Sequence, residues 1–185
     1  MKRTRLVAAT LTLALASSAA MAHPQAGAHA HGFLDGFAHP FTGIDHLLAM
    51  VAVGVWSARQ SNANWLPPTF IGMVMVGMLS GAVAGALPGL ELGIALTVVA
   101  MGMLIALARR LPAAAGVAMV GAFALLHGNA HGVELATAAS AGGLLAASTL
   151  LVYGGRLLGR VGPALAVKCA GAAIAATGLV LAAAL

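Results

Sequence analysis

The chain has 185 residues, 61% of them hydrophobic, with nine basic and four acidic side chains and a mean hydropathy of +1.00. So few charges cannot give a soluble domain of this size a polar shell, which excludes a soluble globular protein and predicts an all-α membrane protein. The net charge of +5 does not point to nucleic acid, because the basic residues lie at the N-terminus and between apolar runs.

Lys2, Arg3 and Arg5 precede an apolar run from Leu6 to Ala16, and Ala20-Met21-Ala22 has the small-x-small form of a cleavage site. That run is short of the roughly 20 residues a spanning helix needs, so residues 1–22 read as a cleaved signal peptide. Processing would leave His23 as the new N-terminus, outside the cytoplasm, with a free α-amine as an extra nitrogen donor. Residues 23–38 read as an outer tail bearing His23, His29, His31 and Asp35. The tail histidines suit metal capture and a solvated linker equally well.

Six apolar segments follow, predicting spans over Thr42–Ser57, Pro67–Leu87, Gly89–Ala108, Pro112–Leu126, Glu134–Tyr153 and Gly162–Leu185. With connections this short they make one six-helix transmembrane bundle covering 23–185 and no second domain. Thr42-Gly43-Ile44-Asp45 has the form of an N-terminal capping pattern, and Pro67 and Pro112 suit first-turn positions. Leu87-Pro88-Gly89 reads as a tight turn, and Gly154-Gly155 and Gly162-Pro163 as brackets around the last connection.

An outer N-terminus puts Arg59, then Arg109 and Arg110, then Arg156 and Arg160 in the inner connections, while the connections after the second and fourth spans carry no Lys or Arg. The positive-inside rule therefore agrees with the leader, and Lys168 lies within snorkelling range of the inner face. Gly77, Gly81 and Gly85, then Gly89 and Gly93, form stripes of small residues suited to a tightly packed bundle or a homo-oligomer. The scattered methionines read as gap fillers and the lone Cys169 as a packing residue.

On this topology all four acids and all seven histidines fall at or near the outer face. His39, Asp45 and His46 open the first span, Glu91 opens the third, and His127, Asn129, His131 and Glu134 lie at the turn between the fourth and fifth. Ionisable groups at membrane depth are costly unless paired, so two such clusters on one face point to a metal pathway. Residues i, i+4 and i+7 share a helix face, so His127, His131 and Glu134 converge in a helix; Gly128 and Gly132 suit an unwound segment equally well. His39 and His46 would lie roughly 10 Å apart on a straight helix, so Pro40 and Gly43 must bend the chain for them to meet; otherwise His39 belongs to an outer relay site. Asp45 and His46 point about 100° apart, so one would ligate while the other orients a ligand or faces another helix. Imidazole and carboxylate without thiolate suit nickel, cobalt or zinc.

His-x5-Asp-His at 39–46 together with His-Gly-x-Ala-His-Gly-x-Glu at 127–134 resembles the HupE/UreJ family of nickel/cobalt permeases. The resemblance covers nearly the whole mature chain and includes the cleaved leader and the six-helix plan; Leu126 stands where the family's second motif usually begins with phenylalanine, a departure that touches packing rather than ligation. It implies nickel uptake, or cobalt uptake, into the cytoplasm for hydrogenase or urease maturation. The chain would then be a multi-pass protein of a bacterial-type inner membrane, not an enzyme, with both mature termini on the outer side.

The expected metal site comprises His39, Asp45, His46, His127, His131 and Glu134, with Glu91 as a relay carboxylate and His23 as an accessory. The ion is substrate, and no prosthetic group is expected. No Gly-x-x-x-x-Gly-Lys-[Ser/Thr] loop occurs. A divalent cation entering down about 100 mV gains roughly 4–5 kcal/mol, and a cytoplasmic metallochaperone would be its acceptor. Because ligating imidazoles are neutral, uptake should weaken as pH falls through about 6.5. The two halves would run in opposite senses, which permits a 3+3 inverted repeat. Three rivals are a non-transporting metal sensor or chaperone, an intramembrane metal hydrolase, and a haem-binding subunit. The hydrolase lacks His-Glu-x-x-His and any serine nucleophile motif. The haem subunit would need histidine pairs facing each other within helices.

Overall fold

The computed structural model describes residues 32–61, 63–135 and 137–185. The proposed leader, His23, His29 and His31 lie outside these residues. Among them are seven helices and no strand: α1 (Phe33–Thr42), α2 (Ile44–Ser57), α3 (Leu66–Ala84), α4 (Leu90–Ala106), α5 (Ala113–Glu134), α6 (Ala138–Val161) and α7 (Ala164–Ala183).

Four of them, α3, α5, α6 and α7, are long and apolar enough to cross a bilayer. Helices α1 and α2 pass the same test as a pair bent by 86°, and α4, at 17 residues, is a shorter apolar helix. The outer surface is as greasy as the core: Leu79, Val83, Leu150 and Leu165 are exposed while Met50, Phe70, Val98 and Leu144 are buried. Helices apolar all round belong in lipid, so this is a multi-pass membrane protein.

Glycine sets the helix spacing. α3 lies along α5 because Gly77 and Gly81 face the backbone of Leu125 and Asn129, while Gly128 and Gly132 face the carbonyls of Val74 and Met78. Gly36 of α1 and Gly143 of α6 are paired the same way, as are Gly54 of α2 with Gly155, and Gly102 of α4 with Gly171. A Cβ at any of these positions would collide with main chain, so the close approach and its dispersion energy depend on its absence.

Several boundaries differ from those expected. Residues 33–38 are helical rather than tail, and Thr42 ends α1 instead of capping the next helix; its hydroxyl donates to the His39 carbonyl at 2.7 Å. Gly43, in extended conformation, makes the break before α2. Gly154 and Gly155 lie inside α6, since Gly155 serves the contact with α2 rather than a turn, and Arg156 and Arg160 ride on that helix. The segment 127–134 is the end of α5 rather than a turn, and the link to α6 is only 135–137. Thr137 caps α6, its hydroxyl accepting from the Ser140 N–H at 3.1 Å.

The two ends of the bundle differ in charge. At one end Trp56 Nε1–H donates to the Arg109 carbonyl (2.9 Å), and Arg59 donates to the carbonyls of Gly159 and Gly162 (both 3.1 Å). Arg156 donates to Asn64 Oδ1 at 2.6 Å. At the other end the C-terminus of α5 meets α1, the start of α2 and the α3–α4 connection, and there the histidines gather.

Candidate metal centre

The 86° bend at Gly43 lays α1 against α6, from where the His39 side chain reaches the end of α5. His39 Nε2 comes within 2.8 Å of Glu134 Oε2, and His131 Nδ1 lies 3.8 Å from the same oxygen. Ligand atoms of His39, His131 and Glu134 all lie within 4.8 Å of one another, the separation expected of groups sharing one ion. The bend brings His39 from α1 onto His131 and Glu134 of α5.

The cluster continues inward. Ring centroids are 5.0 Å apart for His39 and His131, 4.3 Å for His131 and His46, and 5.0 Å for His46 and His127. Four imidazoles from α1, α2 and α5 thus form a row in the order His39, His131, His46, His127. Side-chain exposure is 31% at Glu134, 18% at His39, 9% at His46 and 1% at His131, and His127 is fully buried. The row is therefore entered from the Glu134 side.

Hydrogen bonds set which nitrogens stay bare. Asp45 Oδ1 accepts from the His46 backbone N–H at 2.8 Å and from His46 Nδ1 at 2.9 Å, which leaves the lone pair on Nε2. The Thr97 hydroxyl donates to the Ile94 carbonyl at 2.7 Å, so it accepts from His127 Nε2–H at 2.8 Å and leaves the lone pair on Nδ1. His46 Nε2, His127 Nδ1 and both ring nitrogens of His131 are buried with no hydrogen-bond partner among the described residues. Buried imidazole nitrogens normally find partners, and an unpaired lone pair in a dry site costs free energy that a cation would offset. A carboxylate or hydroxyl holding the far nitrogen of a ring is the usual arrangement behind a metal-binding histidine. Asp45 thus stands behind His46 as its orienting group.

Glu91 is exposed in the first turn of α4 and is not one of the three groups that converge on one point. One residue of the site, Thr97, carries no signal in the sequence. Thr97 sits on α4, thirty positions from the His127 it orients. Asn129 lies within the second motif yet serves the fold: its Oδ1 accepts from the Leu87 N–H (2.9 Å), and its amide donates to Ser80 Oγ (3.0 Å) and the Gly85 carbonyl (3.1 Å). Leu126 packs with Leu90, Ile94 and Ala130.

Fold and site together define a class: a multi-pass helical membrane protein with a buried row of imidazoles entered past a carboxylate. The HupE / UreJ protein family matches residues 11–181. Protein HupE of Rhizobium leguminosarum bv. viciae is 42% identical over 186 residues, covering 93% of this chain and 95% of its own length. The chain belongs to the HupE/UreJ family, whose members are transporter-type membrane proteins rather than enzymes. No solved structure matches it significantly.

Proposed function

We propose that this chain carries a divalent transition metal ion, nickel or cobalt, across the membrane, with His39, His46, His127, His131 and Glu134 as successive ligands. The observation that carries the reading is the row of four rings, three of which hold buried nitrogens without hydrogen-bond partners. Glu134 and His39 receive the ion at the exposed end. His131 then hands it from them to His46 and His127, because its ring stands between the two pairs. Nitrogen donors of moderate field strength hold a borderline divalent ion without trapping it, and a relay needs that compromise.

In this reading α1 and α2 count as one broken span and α4 as a short one, giving six in all. The histidine end faces outward, the arginine end faces the cytoplasm of a bacterial-type inner membrane, and uptake is inward to an acceptor metallochaperone. The positive-inside pattern of Arg59, Arg109, Arg110, Arg156 and Arg160 supports that orientation.

The test is uptake of radiolabelled nickel into proteoliposomes with an inside-negative potential, with cobalt and zinc as competitors. Wild-type protein should accumulate nickel, cobalt should compete, and His131→Ala and Glu134→Gln should lose accumulation at equal protein incorporation. Binding in detergent with no accumulation in vesicles would make the protein a sensor and overturn the reading. So would normal accumulation by both variants.

A further inference from the structure

The end of the bundle opposite the histidines holds a cavity of about 100 Å³ between α2, α4 and α7. Its polar lining is Trp56, Arg59, Gln60, Arg109, Arg110 and Lys168. Four cationic side chains therefore surround a volume that accepts a phosphate group and not a nucleotide.

The acids of the whole chain are Asp35, Asp45, Glu91 and Glu134, and each sits on α1, at the start of α2 or α4, or at the end of α5, all at the histidine end. The α7 C-terminus is remote as well, because Lys168 lies near that helix's start. No carboxylate of this chain lies at the cavity to balance its charge. Arg59 is held by the carbonyls of Gly159 and Gly162, and Arg109 is fixed through its backbone carbonyl, which accepts from Trp56 Nε1–H and from Gln60 Nε2 (3.2 Å). Gln60 Oε1 in turn accepts from the Leu111 N–H at 3.2 Å. The rim is thus pre-organised by its main chain while the side chains of Arg109, Arg110 and Lys168 remain exposed to a ligand.

We propose that this cavity binds a phosphate-bearing anion. Convergent guanidinium groups suit phosphate oxygens through paired N–H donors, and a basic pocket between spanning helices lies at the depth where lipid headgroups sit. Two sources share this chemistry: the headgroup of an anionic phospholipid, and free inorganic phosphate.

The test is thermal unfolding of the full chain in phosphatidylcholine nanodiscs, with phosphatidylglycerol or inorganic phosphate as the added probe. The variants are Arg109→Gln/Arg110→Gln, Lys168→Gln and Arg160→Gln, the last being exposed and outside the cavity. Phosphatidylglycerol should raise the unfolding temperature of the wild type by about 5 °C. The Arg109/Arg110 pair and Lys168 variants should lose that rise, and Arg160→Gln should keep it. The same pattern with inorganic phosphate alone would support the site with a soluble occupant. No rise with either probe would overturn the proposal, and so would an equal loss in Arg160→Gln, which would mark diffuse surface charge.

Discussion

Replacing Gly132 by alanine adds one methyl group at the α3–α5 contact, next to His131. A Cβ there would collide with the Met78 carbonyl well inside the 3.0 Å that real Cβ atoms essentially never breach, and main chain cannot rotate away. The helices must separate locally, and overpacking of this kind costs about 2 kcal/mol. For a chain of this size that corresponds to a fall of about 4–8 °C in unfolding temperature. The same displacement moves His131 away from Glu134 and His39, so, on the proposed metal-carrying role, nickel uptake should fall roughly 10–100-fold, as disturbances around metal ligands do. Gly72→Ala is the matched control, since nothing lies within 4 Å of a Cβ there; removing a helical glycine should leave stability unchanged or raise it by up to about 1 kcal/mol. Thermal unfolding in detergent and vesicle uptake read the two effects separately. Unaltered unfolding and uptake in Gly132→Ala would refute the argument that glycine contact sets the position of the ligand helix.

Three further outcomes follow from the same geometry. Thr97→Val removes the acceptor for His127 Nε2–H and should weaken apparent nickel affinity about 10–100-fold with little change in folded yield, measured from the concentration dependence of uptake. Asn129→Ala removes three hydrogen bonds tying α5 to α3 and the α3–α4 connection and should cost about 3 kcal/mol at roughly 1 kcal/mol each, seen as a lowered unfolding temperature. Glu91→Gln should leave uptake within about twofold of wild type while His39→Ala lowers it at least about tenfold, a contrast that a relay role for Glu91 would reverse.

Much of the site is legible in the sequence because unpaired ionisable residues are conspicuous in an apolar chain. His39, His46, His127, His131 and Glu134 stand out on cost alone. The i, i+4, i+7 spacing supports a helix over 127–134, but its two glycines leave an unwound turn equally open. The fold resolves that choice through α3: Gly128 and Gly132 meet the Val74 and Met78 carbonyls, a reason for glycine that involves another helix and leaves no mark on the local pattern. Thr97 escapes notice for a related reason, since a threonine in an apolar helix has no distinguishing spacing. Glu91 opens α4 at the histidine end of the bundle and lies outside the three groups that converge on one point.

The sequence by itself determined the class of environment, the segregation of acids and histidines from arginines, and the residue types offered to an ion. Those are consequences of composition and order, which need no partner helix. Tertiary structure decided which of those residues meet. It turned the chain through 86° at Gly43, brought His39 onto His131 and Glu134 from 92 and 95 positions away, and set Asp45 behind His46 as its orienting group. Contact across such separations depends on how closely helices pack, and that closeness is set jointly by small residues on both partners.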